Sequence, residues 1–111
     1  MKYLIALTTG MALIAASVQA QTPGNIEAAE YDPTDNRWFI SNGTSLLETS
    51  NGGASYSYFG TASATHGMEV VDGMLIAIGN NVIRVYDLET AESLGTLLIS
   101  GAGFLNGMGS R

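Results

Sequence analysis

The sequence contains no cysteine among its 111 residues, only two prolines and only four Lys and Arg residues. Without cysteine, the chain can form no disulfide, no thiolate nucleophile and no Cys-ligated metal site. The single histidine, His66, also excludes a zinc site built from several histidines. Ten acids against four bases give a net charge of −6, so the chain lacks the basic surface that nucleic acid phosphates require.

The first twenty residues have the three-part pattern of a secretory signal peptide. Lys2 gives a positive start, an apolar stretch follows from Tyr3 to Ala16, and residues 17–20 (SVQA) place small side chains before a cleavage point. The pattern predicts a signal-peptide helix over residues 1–20 and a periplasmic or secreted protein, with a buried N-terminal helix as the alternative. No later apolar run has membrane-spanning length, so no span is predicted after cleavage.

Two parts of the remaining chain resemble each other. Residues 25–29 (NIEAA) resemble 67–71 (GMEVV), 42 positions later, and residues 38–43 (WFISNG) resemble 75–80 (LIAIGN), 37 positions later. The first alignment places Glu69 at the position of Glu27. A third copy begins with Asn-Gly-Met at 106–108, 40 residues after His-Gly-Met. Such periods are typical of repeat architectures.

Each copy contains four short stretches enriched in β-branched and aromatic residues and separated by Gly, Asn, Asp and Ser. Asp72-Gly73 between two apolar runs predicts a two-residue hairpin. Residues 87–94 have helix-compatible composition, but we interpret them as the end of a strand, a turn and the next strand. The predicted strands are Ile26–Tyr31, Arg37–Ser41, Ser45–Thr49, Tyr56–Phe59, Met68–Val71, Met74–Ile78, Val82–Asp87 and Leu94–Ile99.

Four strands in every 40 residues or so predict an all-β fold, namely a partial β-propeller within residues 21–111. Blade one covers about 26–63, blade two about 66–102, and a third blade starts at 104–111. An eight-stranded sandwich is the structural alternative. Two blades cannot cover both of their outer faces, so we expect an N-terminal fragment of a larger propeller. An oligomer of two-blade chains is the alternative.

Several motifs follow one another along the chain: Glu27 with Tyr31-Asp32-Pro33, residues 36–42 (NRWFISN), residues 66–70 (HGMEV), residues 82–87 (VIRVYD) and residues 101–106 (GAGFLN). Together they resemble the exported six-bladed β-propellers of the senescence-marker-protein/gluconolactonase-like family, also called regucalcin-like. The resemblance covers nearly all of residues 25–108. It implies a six-bladed ring, of which this chain would form the first third.

The resemblance also implies a central channel in which a divalent cation, often calcium, is held by oxygen ligands. Glu27 matches the ligand at the start of the first blade, and Asn106 matches an Asn at the start of the third. Gly107 departs from the pattern, because relatives often carry an acid there. In such a channel the cation would polarise a lactone carbonyl and activate water. The remaining ligands would lie in later blades, so we expect this chain alone to be inactive.

Each candidate residue also has an ordinary structural interpretation. Glu27 also suits a solvated strand edge and Asn106 a turn before glycine, and these interpretations are favoured over the ligand role. His66 suits a channel mouth better than general-base catalysis. Three further acids are predicted to form turns, namely Asp32, Asp35 and Asp87.

The sequence therefore leaves two functions open, and whether the protein is an enzyme stays open with them. One is an exported gluconolactonase-like hydrolase that opens the ring of a lactone or related sugar derivative. The other is a non-catalytic periplasmic or surface propeller that binds a protein or glycan partner. The fold alone decides neither of them.

Overall fold

The computed structural model describes residues 21–64, 66–105 and 107. The predicted signal-peptide helix over residues 1–20 lies outside the described residues. Eight strands are present: β1 (Ala29–Asp32), β2 (Arg37–Asn42), β3 (Ser45–Thr49), β4 (Ser57–Tyr58), β5 (Met68–Val71), β6 (Met74–Gly79), β7 (Val82–Asp87) and β8 (Ser93–Leu98).

The strands form two antiparallel sheets, each with its strands in chain order. Sheet 1 contains β1 to β4, and sheet 2 contains β5 to β8. The described part of the chain has no helix, and therefore none of a length and apolarity suited to crossing a membrane. The all-β prediction is confirmed, and β3, β5 and β7 have the predicted bounds.

The largest difference from the predicted bounds is at β1, which begins at Ala29 rather than at Ile26. The backbone before it is held by side chains instead of by a strand ladder. Asn42 Oδ1 accepts hydrogen bonds from the N–H groups of Gly24 (2.7 Å) and Asn25 (3.1 Å). Side-chain anchoring of this kind leaves no periodic signal in the sequence, which explains the error.

Two turns follow the chemistry that their residues predict. Asp72 and Gly73 have φ values of 49° and 77° and join β5 to β6, as a two-residue hairpin of the type I′ class requires. After β7, Asp87 Oδ1 accepts the N–H groups of Glu89 and Thr90, both at 2.9 Å. Residues 87–94 are therefore a strand end, a turn and the next strand, as predicted.

The hairpin registers correct the predicted alignment of the two copies. The offset of 37 holds for the second and third strands, because the closing pairs are Asn42–Ser45 in sheet 1 and Gly79–Val82 in sheet 2. The offset of 42 for the first strands is wrong. Ala29 lies opposite Ile40, and Met68 lies opposite Ala77, so Ala29 corresponds to Met68, 39 positions later.

This correction changes which polar residues are equivalent. Glu69 corresponds to Glu30 and not to Glu27, whereas Glu27 corresponds to His66. The backbone supports this register, since Ser41 N–H donates to the carbonyl of Ala28 and the equivalent Ile78 N–H donates to Gly67, both at 2.9 Å. The likeness of the short motifs NIEAA and GMEVV was misleading, because the loop after β1 is longer than the loop after β5.

Alternate residues of a strand project to opposite sides of its sheet. We call one side of sheet 1 its front; it carries Glu30, Phe39, Ser41, Leu46 and Glu48. By register, the equivalent front of sheet 2 carries Glu69, Ile76, Ile78, Ile83 and Val85. The backs carry Tyr31, Trp38, Ile40 and Leu47 in sheet 1 and Val70, Leu75, Ala77, Arg84 and Tyr86 in sheet 2.

One buried cluster joins the two sheets, and it is built from the front of one and the back of the other. Phe39 and Leu46 from the front of sheet 1 meet Leu75, Ala77 and Tyr86 from the back of sheet 2. Phe39 also packs edge-on against Phe59, with ring centroids 4.7 Å apart. The two copies therefore pack head to tail, with unlike faces in contact.

Candidate functional site

The first strands of the two sheets, β1 and β5, lie next to each other. They are joined by a hydrogen bond in which Glu30 Oε1 accepts the N–H of Val70 at 3.3 Å. Two residues before each strand stands a polar side chain, Glu27 in sheet 1 and His66 in sheet 2. The fold therefore brings the starts of two equivalent strands together, and these starts form the first candidate site.

Glu27 has an exposed side chain on a firmly held backbone. Its N–H donates to Ser41 Oγ at 3.1 Å, and the N–H of Ala28 donates to the same oxygen at 2.9 Å. Ser41 is fully buried at the end of β2, so the second strand fixes where the first one starts. The backbone position of Glu27 is therefore fixed, while its carboxylate is accessible to solvent.

His66 is half-buried and lies at the equivalent point of sheet 2. Its N–H donates to the carbonyl of Ile78 at 3.1 Å, and its ring lies against Phe104 with centroids 4.5 Å apart. Among the described residues, neither its hydrogen bond nor its ring contact brings it a nucleophile or an acid of the kind that a catalytic base needs. The structure thus gives His66 a packing role against the segment that follows β8.

Gly67 is a point of close backbone approach. A Cβ there would lie 2.9 Å from Cδ1 of Ile78 and 3.4 Å from Cα of Gly107. The chain has thus returned from β8 to the start of β5 by the time it reaches Gly107. Asn106, the second predicted metal ligand, lies outside the described residues.

The donor set for the cation that the resemblance implies is incomplete in the described part of the chain. No group of three or more His, Cys, Asp or Glu side chains comes together there in a way that could hold a metal ion. Glu27 offers oxygen ligands of the type that calcium prefers, but one carboxylate does not make a site for an ion that takes six to eight oxygens.

A second candidate site is an acidic cleft of about 480 Å³ between the turns at the other end of the sheets. The sequence did not predict it, because its residues come from three separate loops. Its polar lining consists of Asp32, Thr34, Asp35, Asp72, Asp87 and Glu89.

Arg37 organises one wall of this acidic cleft. Its Nε lies 3.0 Å from Oδ2 of the fully buried Asp32, and its other nitrogens lie 3.5 Å from Asp35 and 3.6 Å from Glu48. Its guanidinium also donates to the carbonyl of Leu88, in the loop after β7. The network therefore links sheet 1 to the loop that follows the third strand of sheet 2, with Arg37 and Asp32 buried and the Asp35 side chain 58 % exposed. No pattern in the sequence predicted it.

The predicted turn roles of the aspartates agree with these contacts. Asp32 Oδ1 accepts the N–H of Thr34 at 3.0 Å while its other oxygen binds Arg37. The hydrogen bonds from Thr90 and Glu89 lower the pKa of Asp87. Both carboxylates are thus used to hold loops, and the cleft shows no nucleophile with an adjacent base.

Two glutamates on the front of sheet 1 have raised pKa values. Burial raises the pKa of Glu48 more than the attraction of Arg37 lowers it. Burial also raises the pKa of Glu30, with a smaller contribution from Glu69, and the hydrogen bond from Val70 opposes both. These shifts come from packing between the sheets rather than from a catalytic arrangement.

No protein-family model matches the chain, and no curated protein or solved structure matches it either.

Proposed function

We propose that the chain is part of an exported six-bladed β-propeller and that its two sheets are successive blades. The observation that carries the proposal is the head-to-tail packing, in which the front of sheet 1 meets the back of sheet 2. Contact between unlike faces can be repeated, and it generates a ring when the rotation closes. The two halves of a sandwich, by contrast, do not need equivalent registers or unlike contact faces.

The neighbouring first strands support the same interpretation. In a propeller, the first strand of each blade lines the central channel. Here β1 and β5 contact each other, while the last strands β4 and β8 do not. The return segments after these last strands also match, since Ala62 N–H donates to Phe59 and Ala102 N–H donates to Ile99.

The front of sheet 2 supports the continuation of the ring. It carries Ile76 and Ile83, which remain partly exposed although their equivalents Phe39 and Leu46 in sheet 1 are buried. Gly107 already lies beside the start of β5. In the complete propeller, a third blade would begin at this point and cover that front.

For this propeller we propose gluconolactonase-like hydrolysis of a lactone, with a divalent cation such as calcium bound in the channel. Glu27 supports this proposal as a solvent-accessible carboxylate at the start of the first channel strand. The described residues supply no further ligands, so the two blades alone should be inactive.

The second candidate is a non-catalytic propeller that binds a protein or glycan. It is favoured by the environment of His66, whose ring packs against Phe104 instead of being oriented for proton transfer. It is also favoured by Gly107, which brings no carboxylate to the start of the third blade.

The test begins with the reading frame in the source, read beyond codon 111. We expect further repeats of about 40 residues, since this is the usual length of a propeller blade. A stop codon directly after Arg111 would contradict the larger propeller. The same sequence decides which acids and amides occupy the starts of the later channel strands.

The second step assays the product of the whole reading frame against a panel of sugar lactones, with calcium titrated by calorimetry. We expect hydrolysis that requires the metal, and a loss of at least about 100-fold in kcat/KM for Glu27→Gln, because a ligand carboxylate becomes an amide. Glu92→Gln, on an exposed loop, is the matched control. Calcium binding without hydrolysis would favour the binding propeller.

A further inference from the structure

The last strand of sheet 2 has an outer edge that is open in the described part of the chain. β8 pairs with β7 on one side, from Val82–Leu98 to Tyr86–Ser93, and no described strand pairs with its other side. All six of its residues are exposed, including Leu94 (55 %), Leu97 (59 %) and Leu98 (62 %). Exposed apolar edges of this kind are templates for pairing with another strand.

The equivalent edge of sheet 1 is protected. β4 is only two residues long, and the chain before sheet 1 lies against its outer side, where the N–H of Gln21 donates to the carbonyl of Tyr56 at 2.8 Å. The outer edges of the two sheets therefore differ. The edge of sheet 1 is covered by the backbone near Gln21, whereas β8 contains no Lys and no Pro and is not covered by any described strand.

From this edge we infer that two copies of the chain associate through β8, antiparallel and about a two-fold axis near Thr96. An antiparallel pair centred there sets Leu94 of one copy opposite Leu98 of the other and continues the two sheets into one. The contact is self-complementary, as a two-fold interface requires. It does not depend on the proposed hydrolase or on the proposed ring.

Charge restricts where two copies can meet, and it favours the antiparallel direction. The chain is acidic, with a net charge of −6, so most approaches of two copies are opposed by repulsion. Residues 93–105 carry no charged side chain, which makes β8 a place where copies can meet. The antiparallel arrangement keeps the two Glu92 side chains at opposite ends of the contact, whereas a parallel one would set them side by side.

The size of the contact sets its expected strength. One strand edge buries less than the roughly 1,200 Å² of a stable complex, so the association should be weak and concentration-dependent. We expect a Kd between about 10 and 500 µM. Sedimentation equilibrium of the purified protein between about 5 and 500 µM measures it.

Matched variants on the two outer strands locate the contact. Leu98→Lys places a charge on the edge of β8, while Tyr58→Lys places the same charge on β4, at a similar exposure (54 %). We expect Leu98→Lys to weaken association at least about tenfold and Tyr58→Lys to leave it within twofold. A protein that stays monomeric up to 500 µM, or a dimer that Leu98→Lys does not weaken, overturns the inference.

The absence of cysteine from the chain allows a direct test of register. Thr96→Cys puts one thiol near the two-fold axis, and Ser57→Cys puts one on β4 as the control. Under mild oxidation we expect the Thr96→Cys protein to form disulfide-linked dimers at least about ten times faster, because opposite Cβ atoms lie within about 5.5 Å. Equal rates for the two variants contradict pairing through β8.

Discussion

The fronts of the two sheets differ in chemistry although they are equivalent in register. Three positions that are charged on the front of sheet 1 are apolar in sheet 2: Asp32, Arg37 and Glu48 correspond to Val71, Met74 and Val85. The charged front is covered by sheet 2, whereas the apolar front is only partly covered in the described part of the chain. The charges of sheet 1 thus lie at the contact with sheet 2, where Arg37 meets Asp32, Glu48 and the carbonyl of Leu88.

Truncating a side chain should destabilise the protein more on the covered front of sheet 1 than at the equivalent position on the front of sheet 2. Phe39 is completely buried and packs against Phe59 and the Arg37 guanidinium, whereas the equivalent Ile76 is partly exposed. We expect Phe39→Ala to lower the free energy of unfolding by about 4 kcal/mol and Ile76→Ala by about 1 kcal/mol. Urea denaturation followed by the fluorescence of Trp38 measures both. Similar losses would mean that the two fronts are equally covered in solution.

Removing Arg37 alone should lower the free energy of unfolding more than replacing Asp32, Arg37 and Glu48 together. Arg37→Met leaves the buried Asp32 without its ion-pair partner, and we expect a loss of about 3 kcal/mol in urea denaturation. Copying all three sheet 2 residues, with Asp32→Val, Arg37→Met and Glu48→Val together, removes the buried and partly buried charges and leaves only the exposed Asp35 without its partner. We expect this triple variant to be more stable than Arg37→Met alone, because buried ion pairs are often replaceable by apolar residues.

Arg84→Met is the control for removing an arginine from the second sheet. Arg84 lies on the back of sheet 2 opposite Thr96 and is only partly buried. We expect a loss below about 1 kcal/mol. If the triple variant were less stable than Arg37→Met, the network would be contributing net stability rather than matching charges at a fixed contact.

The sequence predicted the elements of this fold well and their three-dimensional relations less well. Strand composition and turn chemistry located all eight strands, since both signals are local, as at Asp72-Gly73. The alignment of β1 with β5 failed because a loop of different length separated two short similar motifs. Only the hydrogen-bond register, with Ala29 opposite Ile40, shows that Glu27 corresponds to His66.

The candidate site was predictable only where a single residue carries the signal. The family resemblance singled out Glu27 within the predicted strand Ile26–Tyr31, and the structure places it two residues before β1 with an exposed side chain. The Arg37 network joins residues from three strands, one turn and the loop after β7, and no periodic pattern in the sequence predicts that they meet. Its only sequence signal is the close spacing of Asp32, Asp35 and Arg37 around one turn.

The residues just before β1 and just before β5 pack against side chains of different size. This difference predicts a smaller effect on the free energy of unfolding. Sheet 1 has Ala28 beside Ser41, and sheet 2 has Gly67 beside the larger Ile78. Gly67→Ala would place Cβ 2.9 Å from Cδ1 of Ile78, and we expect a loss of about 1 kcal/mol in urea denaturation. Ile78→Val removes that carbon, so the same Gly67→Ala change should cost less in the Ile78→Val background.

The control is Gly103→Ala, where a Cβ meets no atom within 4 Å. We expect it to change the free energy of unfolding by less than about 0.5 kcal/mol. Additive effects of Gly67→Ala and Ile78→Val would show that the close approach is relieved by movement of the backbone instead.

The smallest expected effect concerns protonation on the covered front. Burial raises the pKa of Glu30, so its favourable contribution is complete below the ordinary value of 4.5 and is lost as the pH rises through the raised pKa. Glu30→Gln keeps an oxygen that can accept the N–H of Val70 but carries no charge. The variant should therefore gain stability over the parent at neutral pH and lose that advantage by pH 4.5.

The gain should stay below about 1 kcal/mol, because solvent screens a side chain that is only partly buried. Urea denaturation between pH 4.5 and 8 measures it, with Glu92→Gln, on an exposed loop, as the control for replacing a glutamate by glutamine. Glu48 has the same direction of shift, and the lowered pKa of Asp87 keeps that group ionised over this range, so both contribute equally to parent and variant. An advantage of Glu30→Gln that grew as the pH fell would reverse the sign and show that charged Glu30 stabilises the contact between β1 and β5. The two sheets would then be held by charge at their first strands as well as by the Arg37 network at their turns.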